Sequence, residues 1–252
     1  MTFDVDAAAY DGFMGRYSRL LSPQMADLAG VKSGQHVLDV GCGPGALIEE
    51  LAARVGPEHV VAVDPSESFV AAARTRAPGV EVLHASAEAL PLADDTFDTA
   101  LAQLVVHFMA DPIKGISEMA RVTRPGGVVA ACVWDHAGGR TPLGLFWAAA
   151  RQLDADVHDE SRLAGARRGH LGELFAAAGL REVDEVTLSI EAVHRDFNEW
   201  WEPFTAGVGP AGAYLASLDA TGRAALRENC RAMLPDGPVV LTAAAWAARG
   251  LA

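Results

Sequence analysis

Between residues 39 and 45 the chain reads Asp39-Val40-Gly41-Cys42-Gly43-Pro44-Gly45, three glycines at alternate positions behind a carboxylate. Glycine lets the backbone turn sharply and lets a ligand come close to the main chain. A second carboxylate, Asp64, ends the next apolar run, Val60-Val61-Ala62-Val63, where it can accept hydrogen bonds from both hydroxyls of a ribose. His107 follows the apolar run Phe97 to Leu104. Its ordinary pKa near neutrality suits a general base, and a histidine at such a place also serves to pack or orient its loop. His136, beside Asp135, is a second candidate base. The isolated His84, His158, His170 and His194 show no metal-ligand spacing, so no metal is expected. Cys42, Cys132 and Cys230 lie far apart with no C-x-x-C pair, and read as reduced, buried thiols of a cytoplasmic protein.

The elements that must hold these groups are legible in the apolar pattern. From residue 36 short apolar runs alternate with helical patterns, the signature of a parallel α/β sheet. Strands are expected at His36 to Val40, Val60 to Asp64, Val80 to Leu83, Phe97 to Leu104 and Val128 to Trp134. A sixth follows from the alternation of Val186, Leu188 and Ile190, and a last one at Val239 to Ala248. The helix from Ala46 carries Leu47, Ile48, Leu51 and Val55 on one face. Ser66 caps the next, and Asp111-Pro112 opens another with Ile113, Ile116 and Ala120 inward. Arg124-Pro125-Gly126-Gly127 reads as a turn, and Gly179 closes a helix carrying Leu171, Leu174 and Phe175. Residues 135–169 and 193–238 break the rhythm and read as insertions at the rim of the sheet.

Composition narrows the partners. Of 252 residues half are hydrophobic, and 33 acids face 20 bases for a net charge of −13. Affinity for a phosphate backbone comes from Lys and Arg displacing counterions, so neither nucleic acid nor an anionic membrane surface is an expected partner. No apolar stretch approaches the roughly 20 residues of a membrane helix. The acidic start Met1-Thr2-Phe3-Asp4-Val5-Asp6 lacks the pattern of a signal peptide.

Three ligand classes compete for the glycine loop. A nucleoside triphosphate loop needs a lysine after the glycines, and none follows. A dinucleotide loop needs G-x-G-x-x-G, which the chain meets only in its alanine variant, with Ala46 in the last place. The third pattern has an acid two residues before the first glycine and glycine at the fifth position, as Asp39 and Gly45 are. With it the chain resembles the class I S-adenosylmethionine (SAM)-dependent methyltransferases, in particular the small-molecule branch of ubiquinone and menaquinone methyltransferases. Val61 to Ser66, Ala85 to Pro91, Phe97-Asp98 with Gln103 to His107, and Arg121 to Gly127 resemble that family's further motifs in order.

The resemblance implies an α/β, Rossmann-like, mostly parallel seven-stranded sheet with helices on both faces. Its final strand is antiparallel and helical cap insertions stand at its rim. One domain spans 1–252: an N-terminal helical cover (1–30), the cofactor core (31–134), an insertion (135–169), more core (170–192), a helical cap (193–238) and the final strand (239–252). The implied reaction is in-line transfer of a methyl group from SAM to an O, N or C atom of a small molecule, leaving S-adenosylhomocysteine. Implied cofactor contacts are Asp39, Gly41, Cys42, Gly43, Gly45, Asp64, Pro65, Ala87, Glu88, Gln103, Leu104 and Arg16. Among them Asp64 takes the ribose, and Ala87 and Glu88 the adenine. Asp39 meets the methionine part through its ammonium or else satisfies the loop backbone. Arg16 reaches the carboxylate from a helix bearing Tyr10, Phe13 and Tyr17, or lies on the surface. Trp200, Trp201, Phe204 and Tyr214 wall the acceptor site or form the core of the cap. An NAD-dependent oxidoreductase and a SAM-binding protein without transferase activity are the alternatives.

Overall fold

The computed structural model describes residues 6–252, so the start of the chain read above, Met1 to Val5, lies outside the described residues. The strands are β1 (Val37–Val40), β2 (Val60–Asp64), β3 (Glu81–His84), β4 (Phe97–Gln103), β5 (Thr123–Trp134), β6 (Arg181–His194) and β7 (Val239–Leu251). They form one sheet in the order β3-β2-β1-β4-β5-β7-β6. The first five run parallel, and β7 lies antiparallel between β5 and β6. The chain winds outward from β1 in both directions. A crevice therefore opens at the carboxyl ends of β1 and β4, the place where such sheets bind ligands.

Helices cover both faces. On one side α2 (Arg16–Leu28), α3 (Ala46–Val55) and α4 (Glu67–Arg76) press Leu21, Met25, Ile48, Leu51 and Val70 onto the sheet. On the other, α5 (Pro112–Val122) and α7 (His170–Ala177) bring Ile116, Met119, Leu171 and Phe175. Ser66 and Asp111 cap α4 and α5 as their side chains suit them to do, accepting from the N–H groups of Phe69 and Lys114.

Three local expectations are corrected. Ile113 is exposed, because α5 turns Gly115, Ile116, Met119 and Val122 inward instead. Arg124 to Gly127 belongs to β5: the C-terminal Ala252 hydrogen-bonds to Gly126 and Gly127 and draws the expected turn into the sheet. β6 runs on to His194, and of its alternating residues Leu188 and Ile190 are buried while Val186 is exposed.

Short helices make the remaining parts. At the N-terminus α1 (Ala7–Tyr10) continues through a π turn at Asp11–Gly15 into α2. The segment after β5 holds α6 (Gly144–Leu153) and a 3₁₀ turn at Glu160–Arg162. The cap holds α8 (Phe197–Trp201), α9 (Gly209–Ser217) and α10 (Ala220–Ala232). Among the described residues no helix is long and apolar enough to cross a membrane.

Candidate active site

The glycine loop is shaped by its left-handed residues. Gly41, Gly43 and Gly45 have φ of +72°, +54° and +103°, which L side chains adopt only at a cost. A Cβ on Gly41 would stand 2.5 Å from both methyl groups of Val105. Gly41→Ala is therefore expected to destabilise the fold by about 2–4 kcal/mol, read from urea unfolding. A loss under about 0.5 kcal/mol would mean the loop is not held in this form. Gly45 has a different task from the one expected. It lies outside the cavity wall at the start of α3, where a Cβ would pack 3.7 Å from the Ala73 backbone of α4.

The loop opens into a cavity of about 550 Å³ at the carboxyl ends of β1, β2 and β4. Gly41, Gly43, Asp64, Pro65, Ala87, Glu88, Gln103 and Leu104 all line it. That volume is within the range of small-molecule and cofactor sites. The two Asp64 oxygens accept from Gly43 N–H at 2.9 Å and from Ser66 N–H at 2.8 Å. Each carboxylate oxygen has a second lone pair left for a ligand hydroxyl. Burial raises the Asp64 carboxyl, and the two N–H bonds and His84 work against that rise. Glu88 lines the same cavity and also accepts from Ala110 N–H at 2.8 Å, which ties the far rim to the near one. Leu104 closes β4 at φ +62°, a strained conformation for leucine, fixed by its N–H bond to the Cys132 carbonyl.

A narrower cavity of about 30 Å³ lies beneath, lined by Asp39, Cys42 and Gln103 among others. Asp39 is 1% exposed and neither of its oxygens has a hydrogen-bond partner. It does not satisfy the loop backbone, one of its two expected roles. Burial first, and then the charge of Asp64, push its carboxyl up to about 8. Gln103 donates to the Ser18 carbonyl and the Ser22 hydroxyl, leaving its Oε1 buried and unpartnered. Three buried oxygen atoms without partners, two of them on a carboxyl that ionises beside a positive charge, suit a donor-rich, cationic group. The α-ammonium of a methionine moiety is such a group, and on this observation the residues fit SAM.

Arg16 does not reach this place. It lines a separate cavity, where its guanidinium meets Glu199 at 2.7 Å and His194 Nδ1 at 2.6 Å. Trp200, Trp201 and Phe204 are buried against Phe146 and Phe197, with Phe146 and Phe204 stacked at 4.6 Å. They and the half-buried Tyr214 build the cap and wall neither the large cavity nor the chamber beyond it.

That chamber, of about 30 Å³, adjoins the large cavity across Tyr10, Leu104 and Phe108. His107 and His136 line it with their rings 5.6 Å apart, together with Trp134 and Glu160. His107 Nδ1, both nitrogens of His136 and Trp134 Nε1 are buried and unpartnered. Burial holds both imidazoles neutral, His107 well below its ordinary range and His136 at about 4. Glu160 is 4% exposed, accepts from Trp147 Nε1 at 2.8 Å, and is raised by burial to about 7. The sequence reading did not single out Glu160. Its only signal there was an acidic residue in a segment that also holds a tryptophan.

The chain is similar to known proteins over most of its length. The family described as Methyltransferase domain matches residues 38–131. An uncharacterized methyltransferase of Mycolicibacterium vanbaalenii is 35% identical over 209 residues, covering 79% of this chain and 82% of its own. A ubiquinone biosynthesis O-methyltransferase of Rhizobium johnstonii is 34% identical over 171 residues, 66% of this chain and 67% of its own. A solved SAM-dependent methyltransferase from Aquifex aeolicus shares the fold, with a TM-score of 0.52 at 20% identity over 96% of this chain and 99% of that one.

Proposed function

We propose, from the premise that the chain belongs to the class I SAM-dependent methyltransferases, that its acceptor is the hydroxyl of a neutral, aromatic small molecule received in the His107–His136 chamber. SAM supplies a sulfonium methyl group that is already activated for displacement. The protein has to align the partners, exclude water and remove one proton.

Each task has residues suited to it. Asp64 accepts the ribose hydroxyls, Glu88 and the Ala87 backbone meet the adenine, and Asp39 with Gln103 holds the ammonium. Gly41 and Gly43 let the backbone approach, while Pro65 and Leu104 shape the wall. Cys42 packs beneath the loop; burial, Asp39 and Asp64 hold its thiol well above its ordinary value, so it stays protonated. Acceptor specificity rests on the chamber. Its histidines are neutral and its unpartnered polar atoms favour hydroxyl-bearing molecules, while Tyr10, Phe13, Phe108 and Trp134 give it aromatic walls. At about 30 Å³ it has room for one or two waters, so acceptor entry requires the cover bearing Tyr10 and Phe13 to move. The Rhizobium relative, an O-methyltransferase by name, supports a hydroxyl acceptor. The net charge of −13 favours a compact neutral acceptor over a polyanion. Three free, buried cysteines support a cytoplasmic setting.

The observation that carries the donor site is the unpartnered Asp39 carboxylate beside Gln103 Oε1. Calorimetric titration should show S-adenosylhomocysteine binding and no NADH binding; the reverse would restore the oxidoreductase alternative. A panel of phenol, catechol and hydroquinone with SAM should yield S-adenosylhomocysteine with at least one member. No turnover on any of them would overturn the hydroxyl-acceptor reading while leaving the donor site intact.

A further inference from the structure

His107 and His136 both face the chamber, and their surroundings differ. Burial and the positive form of His136 act on His107, and both disfavour its protonation. His136 has a carboxylate at hand: Glu160 Oε2 lies 3.8 Å from its Nδ1. Glu160 is held there by the indole N–H of Trp147, which reaches it from α6. Asp159 and Asp135 also favour the charged form of His136 from further off, and both are already held by other partners. Asp135 is taken by Arg140 at 2.6 Å, Gly138 N–H at 2.9 Å and Trp246 Nε1 at 3.0 Å. Asp159 is paired with Arg151 at 2.5 Å. Among the described residues no group of three His, Cys, Asp or Glu side chains is arranged to hold a metal ion.

We propose that His136 takes the proton of the acceptor hydroxyl and that Glu160, acting through His136, is its positioning and charge-balancing residue. The proposal rests on the hydroxyl-acceptor reading above. As the acceptor oxygen bonds to the methyl carbon, the carbon–sulfur bond breaks with its electron pair on sulfur, and the O–H proton passes to an imidazole nitrogen of His136. One cation is consumed and one is formed, and the new imidazolium faces the Glu160 carboxylate. A carboxylate orienting an imidazole and stabilising its charged form is a recurring catalytic arrangement. The active form has Glu160 ionised, so kcat rises as pH rises through about 7, where burial, opposed by the Trp147 N–H bond and helped by the charge of Asp159, places that carboxyl.

Two measurements test the proposal, one of them independent of any acceptor. In protein loaded with S-adenosylhomocysteine, the His136 ring carbon signal, followed by NMR against pH, should inflect near 7 as Glu160 ionises. Glu160→Gln should abolish that inflection and Glu160→Asp should retain it. An unchanged inflection in Glu160→Gln overturns the pairing alone. With a panel hydroxyarene that turns over, Glu160→Gln should lower kcat by about 10–100-fold with KM within about threefold, and remove the rise near pH 7. His136→Gln should lower kcat by about 10²–10⁴-fold. A pH profile left intact by Glu160→Gln, or full activity in His136→Gln, overturns the proposal. So does the absence of turnover on every hydroxyarene, which is told apart by overturning the acceptor reading with it.

Discussion

Asp64→Ala weakens S-adenosylhomocysteine binding by about 10²–10³-fold in calorimetric titration, the largest single loss expected at the donor site. Two effects combine. The ligand loses a buried carboxylate as acceptor, and hydrogen bonds to a charged group contribute about 1.5–3 kcal/mol each. The loop loses its own tether as well, because Gly43 N–H and Ser66 N–H both donate to this side chain. Both N–H groups lose this acceptor, the glycine turn slackens and the cap region of α4 loosens. Asp64→Asn keeps the shape and one acceptor oxygen, so its loss should be intermediate, about tenfold. Thermal midpoints measured without ligand separate the two effects. A wild-type midpoint with lost affinity assigns the loss to the ligand contact, and affinity within threefold of wild type in Asp64→Ala would remove Asp64 from the ribose role.

Asp64 was legible because its position is local chemistry: an acid at the end of a buried strand, two residues before a serine cap. The glycine loop, Ser66 and Asp111 were legible for the same reason, since caps and left-handed turns are set by residues a few positions apart. Arg16 shows where local reasoning stops. Its place on a helix facing the sheet was readable, and its partner was not, because Glu199 lies 183 positions away and competes for the same guanidinium. The cluster of Trp200, Trp201 and Phe204 posed a similar choice between lining a site and filling a core. Phe146 stacks on Phe204 from another segment, and Trp200 and Phe204 also line the cavity that holds Arg16, so packing and lining fall on the same rings. Glu160 lies in a stretch with little periodicity, where an acid ordinarily reads as solvated. Its burial exists only because α6 folds Trp147 over it and the end of β5 brings His136 alongside. The seven-stranded sheet was readable from alternating patterns. The drawing of Arg124 to Gly127 into β5 depended on the chain's last residue returning to pair there.

The pH dependence of donor binding follows from Asp39. Its carboxyl stands at about 8 in the folded, empty protein, against an ordinary value near 4, because burial and Asp64 both disfavour its charge. A folded-state value above the unfolded one means that the folded protein holds the proton more tightly. The stability this adds is present at low pH and is lost as pH rises from about 4 to about 8. The thermal midpoint of the empty protein should therefore fall between pH 5 and pH 8 more in wild type than in Asp39→Asn, where position 39 carries no titrating proton. A cationic ammonium beside Asp39 reverses the balance, since it favours the carboxylate and binding then expels the proton. S-adenosylhomocysteine affinity should accordingly rise with pH up to about 8, by as much as about tenfold per unit, and calorimetry in buffers of different ionisation heat should register proton release. Asp39→Asn should bind more weakly at pH 8 and show a flatter slope. Equal slopes in wild type and variant would mean that the buried carboxyl does not meet the ligand's cation, and the three unpartnered acceptors at the base of the cavity would then need another donor.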